Sequence, residues 1–355
     1  MNSVHTTSFP EILSQIEASL VVSTYQAGRL IFLRNNHGTL NTHFRSFAQP
    51  MGVALQDQRL AVGCQNQIWE FANTPAVGAS LPADPVPVDA CYLPRKSHFT
   101  GNIQIHEMDY DSDGELWFVN TRFSCLATRS RDASFVQRWR PKFVSGLTPE
   151  DRCHLNGLGM QNGRPKFVTA LGESDQAAGW RENKANGGIV IDIDSNEVIA
   201  RGLCMPHSPR FYEDRLWVLN SGAGGFGFID QGSGKYESVT QLPGFTRGLS
   251  FVGPLAFIGL SQVRETAVFS GIPIANLPEE ERWSGLAIVN WQSGETVGFL
   301  KFEKDIHEVF SVTMLPKTVW PELINDDPKI IDQSYVLHGE TLSQVPEDFR
   351  GAKRT

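Results

Sequence analysis

No cluster of basic residues and no uninterrupted apolar stretch of the roughly 18 residues a membrane helix needs occurs in this chain. A net charge of −8 without a Lys/Arg tract argues against a nucleic-acid backbone as partner, because phosphate binding relies on clustered cations. The start, MNSVHTTSFPEILSQ, lacks the basic segment and apolar run of a secretory signal. Cysteine is scarce: five residues (64, 91, 125, 153 and 204), odd in number and without a CxxC pair, as expected of reduced thiols in a cytosol. Most of these read as small core residues, and nothing local activates Cys125 or Cys153 as a thiolate. The expected location is therefore cytoplasmic, with no membrane or nucleic acid involved. Long helical periodicity is also almost absent.

What is present instead is punctuation. Thirty-two glycines and twenty prolines separate many short apolar runs, the signature of an all-β sandwich, barrel or propeller. Internal self-similarity decides between these. Leu116-Trp-Phe-Val-Asn120 and Leu216-Trp-Val-Leu-Asn220 are near copies, with weaker versions at Leu60–Cys64, Lys166–Ala170 and Leu255–Gly259. About ten residues before each lies a first strand, and after each comes an outer hairpin with equivalent turns at Asp-Ser-Asn196-Glu, Gly-Ser-Gly234-Lys and Gln-Ser-Gly294-Glu. A four-stranded unit of about 45 to 50 residues is the size of a propeller blade. First strands near residues 51, 106, 154, 207, 247 and 307 predict a six-bladed β-propeller. The last of them has no second strand after it, because Pro316 and Pro321 intervene. Leu20–Thr24, Gly28–Leu33 and the strand around Asn41–Phe44 supply the missing three, so the ring closes by pairing N-terminal strands with a C-terminal inner strand. This divides the chain into residues 1–18, a segment with a short helix capped at Ser8; residues 19–315, the propeller; and residues 316–355, a polar tail whose Ile330-Ile331 and Tyr335–Leu337 dock on a blade.

Four of only nine histidines stand at first-strand starts, as Ile-His106-Glu107-Met, Cys-His154-Leu-Asn156-Gly, Pro-His207-Ser-Pro and Ile-His307-Glu308-Val. In a closed ring these imidazoles converge on one mouth, where they suit a transition metal, Fe or Cu, with Ca or Zn as alternatives. Glu107 and Glu308 each follow a histidine, and strand alternation would set them behind the rings to orient them. Arg247 holds the equivalent place in the blade without histidine and suits a substrate carboxylate, or equally a structural salt bridge. Asn120, Asn220 and Asn156 lie at the same end. The first two could bind a hard cation such as Ca²⁺ or a ligand, or cap the turn that follows. Two long segments, residues 170–187 and 259–285, emerge at the same face, together with long approaches at 72–105 and 141–153; loops of that length are usually functional. Arg122, Glu173, Asp175, Trp180, Arg264 and Glu265 sit on mouth loops and could line the pocket, although for each a solvated loop position is the default. Glu279–Trp283 reads as an exposed face. Gly222-Ala-Gly-Gly-Phe-Gly opens a strand rather than a helix, which rules out a dinucleotide loop.

IHEMDYDSDGELWFVNTRFSCL, CHLNGLGM, GWRENKANGGIVID, PHSPRFYEDRLWVLNSG and TRGLSF resemble a bacterial family of conserved hypothetical proteins, carried as a domain of unknown function and sometimes fused to tetratricopeptide repeats. That resemblance implies no activity. In site design alone the four histidines are similar to those of carotenoid-cleaving oxygenases, although blade number and length differ. The expectation is a metal-dependent enzyme that oxidatively modifies a small molecule or peptide. Alternatives are a divalent-cation lyase or hydrolase of the lactone-processing or streptogramin-lyase type, and a binding propeller that grips a peptide or glycan without turnover.

Overall fold

The computed structural model describes residues 2–83, 86–263 and 270–350. Six sheets are arranged as the blades of a β-propeller, each a meander of four antiparallel strands. Blades 1 to 5 have inner strands Val53–Gln56, Ile105–Tyr110, Leu155–Gln161, Pro206–Tyr212 and Phe245–Val252. Blade 6 closes the ring as expected: Ser311–Pro316 pairs with Ala18–Thr24, from Ala18 opposite Pro316 to Ser23 opposite Ser311, and Arg29–Asn36 and Thr39–Ser46 complete it.

Period-two alternation gives each strand two apolar faces, one for each neighbouring blade. Leu20, Val22, Ile31 and Leu33 pack toward blade 5, where they meet Phe257, Leu286 and Ile288. Their neighbours Val21, Leu30 and Phe32 pack toward blade 1, against Leu60, Val62 and Phe71. Four further clusters fill the remaining inter-blade gaps in the same way, so the apolar core is six sectors around an axis. The turns read from the repeat form accordingly: Asn196, Gly234 and Gly294 all have positive φ, at 55°, 69° and 78°. At the axis the inner strands approach closely, and a Cβ on Gly157 would lie 2.4 Å from Cδ of Pro209 in the next blade.

The ends of the chain depart from expectation in detail. The N-terminal helix is Ser8–Gln15, but Ser8 is not its cap; Thr7 holds that place without a side-chain bond. Ser8 Oγ instead bonds Thr6 Oγ1 and the carbonyl of Val297, because the helix is wedged against blade 5 and that contact takes the hydroxyl. Ser3–His5 adds an outer strand to blade 5, and Pro321–Leu323 runs parallel to Ala90–Phe99 on blade 1. The long approach at 72–105 contains a helix, Pro75–Ser80, and that outer strand of blade 1. Ile330 and Ile331 pack beside Val77 and Leu81, whereas Tyr335 is 75% exposed. No helix among the described residues is long and apolar enough to cross a membrane.

Candidate functional site at the axial mouth

All inner strands run in the same direction, so their first residues share one end of the ring. A repeated local device sets the imidazoles there. Gln104 and Met205, each two residues before a histidine, adopt positive φ of 57° and 49°. Their carbonyls lie 3.1 Å and 2.9 Å from Nδ1 of His106 and His207. A carbonyl only accepts, so both rings carry the proton on Nδ1 and present a lone pair at Nε2. His154, itself at φ 49°, reaches the same tautomer by another route: its Nδ1 lies 2.8 Å and 3.0 Å from the two oxygens of Asp151.

The rings stand in file across the mouth. Trp180, from the insertion of blade 3, lies 4.6 Å from His154 between ring centroids. His154 lies 4.8 Å from His106, and His106 lies 5.2 Å from Phe310 of blade 6. Arg247 of blade 5 closes the file, its guanidinium carbon 3.4 Å from the Phe310 centroid. Arg247 Nη1 is also 3.5 Å from Glu308 Oε1. Burial, reinforced by Arg247, holds His106 and His207 well below the usual imidazole range, so both are neutral at pH 7. Burial likewise brings Arg247 down to about 10, against the opposing pull of Glu308 and Glu107, and lifts Glu308. An apolar roof of Leu171, Trp180, Met205, Phe245, Val263, Ile272 and Ile274 joins the two long insertions above these groups.

The other expected residues take different places. His207 Nε2 faces Asn156 Nδ2 at 3.3 Å, and Asn156 Oδ1 accepts from Thr169 Oγ1 at 2.6 Å, which commits that ring to an internal network. His307 has Nδ1 3.2 Å from Gln262 Oε1. Glu107 does not sit behind an imidazole: it pairs with Arg210 Nη2 at 2.5 Å and accepts from the Leu158 amide at 2.7 Å. Glu308 serves Arg247 rather than a ring. Asn120 and Asn220 act as backbone clamps, accepting from the amides of Phe123 and Cys204 at 3.1 Å and 2.7 Å; Asn120 Nδ2 is buried without a partner among the described residues. Glu173 pairs with Arg201 and Asp175 with Arg152. The Arg122 carbonyl accepts from the Asp151 amide. Arg264 and Glu265 lie outside the described residues. Among the described residues no group of three or more His, Cys, Asp or Glu side chains is placed to hold a metal ion, so the expected four-histidine cage is not assembled. The reason is local: His207 is engaged by Asn156 and His307 is drawn to Gln262. Asp151 and Phe310 were not singled out in the sequence. For Asp151 the signal was its i, i+3 spacing from His154; Phe310 looks like any other core aromatic.

The family described as a domain of unknown function, DUF4915, matches residues 7–324. The chain belongs to that family. A search of the curated proteins finds no significant match. Among solved structures, a chain of the Nidogen/Laminin complex superposes with a TM-score of 0.55 at 9% identity, over 85% of this chain and 99% of that one. A protein of unknown function from Bacteroides caccae gives 0.53 at 10% identity, over 84% and 98%. Both likenesses concern the propeller fold alone. A virginiamycin B lyase from Staphylococcus aureus, at 0.41 and 10% identity over 79% and 75%, is too distant to carry an argument about chemistry, and the oxygenase analogy gains nothing from these similarities.

Proposed function

We propose that the axial mouth binds a small anionic molecule and performs acid–base chemistry on it, as a lyase or hydrolase would. The observation that carries this reading is the file from Asp151 through His154 and His106 to Phe310 and Arg247. One end offers a guanidinium whose partner carboxylate is 3.5 Å away, loose enough for a ligand carboxylate or phosphate to compete. The other offers an imidazole whose Nδ1–H is held by a carboxylate, so that Nε2 is the basic atom turned to the ligand; a base oriented by a third group is the recurrent design of proton-transferring sites. The apolar roof would exclude water and strengthen both interactions. A non-catalytic binding propeller would use Arg247 in the same way but would not need the oriented base.

The test uses inorganic phosphate and malonate as probes, titrated calorimetrically into the full-length protein. Binding should weaken about tenfold or more in Arg247→Met, the scale of losing one charge-assisted contact, and should persist in Asp151→Asn. Equal affinity in wild type and Arg247→Met would overturn the reading. A second reading retains a transition ion, Fe or Cu as the sequence suggested, on Nε2 of His106 and His154. It is favoured by one observation: both rings anchor Nδ1 on a carbonyl or carboxylate, as metal-binding imidazoles do. Stoichiometric metal in protein purified without a histidine tag, lost in His106→Ala/His154→Ala, would select it.

A further inference from the structure

We infer that the opposite end of the axial channel is a second binding site, selective for a small organic ammonium group, with Asp109 as its anionic partner. This inference stands independently of the reading of the upper mouth. The inner strands descend from the histidines, so their later residues line the lower part of the channel. There Ala54, Met108, Asp109, Arg210, Ser250 and Thr313, from five of the six blades, border a cavity of about 360 Å³. That volume is far larger than a bare ion and within the range of small-molecule sites.

The polar groups in this cavity are accounted for almost completely, and apart from one N–H of Arg210 what remains is acceptor. Arg210 has four of its five N–H groups engaged: Nη2 to Glu107, Nη1 to the carbonyls of Leu158 and Pro209, and Nε to that of Leu249. Ser250 Oγ donates to the Val312 carbonyl, and Thr313 Oγ1 to that of Val53, so both hydroxyls keep only lone pairs for a guest. Asp109 has a single hydrogen bond among the described residues, to Oδ1 from the Tyr110 amide, and no ion pair; its second oxygen has no partner there. Glu107 is paired with Arg210 and also feels Arg247, whereas Asp109 has only the field of Arg210, a guanidinium whose salt bridge is made to Glu107. A half-buried carboxylate without an ion-pair partner, set among acceptors in a cavity, calls for a cationic donor.

The walls specify which kind. Leu55, Met108, Phe251, Val312 and Met314 are apolar or polarizable, which suits an alkyl or methyl-bearing ammonium better than a hydrated metal ion. Phe251 is held rigid by stacking on Tyr212, with centroids 4.6 Å apart and planes 7° from parallel. The two ends of one channel would then take opposite charges, an anion beside Arg247 and a cation beside Asp109.

The experiment titrates n-butylammonium and tetramethylammonium into the full-length protein at pH 8, with butyrate as the control of opposite charge, and reads binding by calorimetry and saturation-transfer NMR. Binding of at least one ammonium is expected, weakened about tenfold or more by Asp109→Asn and unchanged by Arg247→Met. If thermal melting shows that Asp109→Asn does not fold, Ser250→Leu, which occupies the cavity and leaves the carboxylate in place, must weaken binding to a similar degree. Equal affinity in a folded variant of either kind, binding of butyrate as strong as that of butylammonium, or binding of Ca²⁺ or K⁺ without either ammonium would each overturn the proposal.

Discussion

Asp151 holds His154 by both carboxylate oxygens, at 2.8 Å and 3.0 Å from Nδ1, and the indole N–H of Trp180 donates to the nearer oxygen at 3.1 Å. Trp180 also packs against the ring that Asp151 orients, tilted 43° from its plane. The carboxylate therefore fixes the tautomer of the imidazole and the position of the aromatic that roofs it. In Asp151→Asn the imidazole loses its anionic acceptor, and a mixture of tautomers replaces the single Nδ1–H form. Nitrogen-15 spectra of the labelled imidazole should show this directly, together with a loss of about 1.5–3 kcal/mol in stability, the usual worth of a hydrogen bond to a charged group. An unchanged single tautomer would mean that Asp151 has no orienting role.

Two buried neutral histidines make folding sensitive to acid. His106 and His207 are held well below 6.5 in the folded protein, while in the unfolded chain they titrate near that value. Below pH 6.5 the unfolded state therefore binds more protons, and stability falls as pH falls, by up to about 1.4 kcal/mol per pH unit for each such ring. Asp109 works the other way. Burial lifts it to about 6, so the folded state gains its proton first and stability is regained between about pH 6 and its ordinary 3.8. Denaturant midpoints should accordingly begin to drop near pH 7 and keep dropping below pH 6, along a steep limb from which Asp109 offsets about the contribution of one ring. The steep limb should shrink in His207→Asn; a profile flat from pH 7 to 6 would contradict the burial of these rings.

The ring was legible in the sequence because its signals are local and repeated. Leu116–Asn120 and Leu216–Asn220 announce the second strand, Asn196, Gly234 and Gly294 the outer turn, and Pro316 and Pro321 the missing partner of the last inner strand. Convergence of strand starts on one mouth followed from connectivity alone. What each side chain does there did not, because that depends on one or two residues of backbone geometry. The positive φ of Gln104 and Met205 aims a carbonyl at a ring, and Asn156 on a neighbouring blade turns out to occupy Nε2 of His207. Glu107 and Glu308 follow histidines in the same motif, yet meet Arg210 and Arg247 from blades far away in sequence.

Glu322 ties the C-terminal strand, whose backbone pairs with blade 1, to blade 6 by charge. Oε1 lies 2.8 Å from His43 Nε2 and 2.6 Å from Arg45 Nη2, and Oε2 lies 3.7 Å from Arg34 Nη1. Arg34 is 4% exposed, and its burial lowers it to about 10 even with Glu322 beside it. Glu322→Ala would leave that guanidinium buried with its carboxylate gone, at a cost of about 3–5 kcal/mol. Glu322→Gln should recover part of the loss through Arg45. Limited proteolysis of Glu322→Ala should release the segment after Pro316 while the blades remain intact. Wild-type resistance in that variant would show that the strand is held by its backbone ladder and apolar contacts alone.

Closure of the ring depends on backbone contact between blades 5 and 6 at Gly248. Its φ is +78°, and a Cβ there would sit 2.6 Å from the Val312 amide nitrogen and 2.9 Å from the Ser311 carbonyl carbon. Both neighbours belong to the inner strand that closes the propeller, so neither can retreat without opening the seam with Ala18–Thr24. Gly253, in the next turn, provides the control: its φ of +51° imposes a similar conformational cost, but nothing lies within 4 Å of its Cβ position. Gly253→Ala should cost about 1–2 kcal/mol, the penalty of the left-handed region alone. Gly248→Ala carries that penalty and the clash, and should lose about 3 kcal/mol or more. Hydrogen exchange would show where: amides of Ala18–Thr24 and Ser311–Pro316 should lose protection in Gly248→Ala and keep it in Gly253→Ala. Equal destabilisation by the two substitutions would mean that the axial seam yields to a methyl group, and that closure does not depend on this approach.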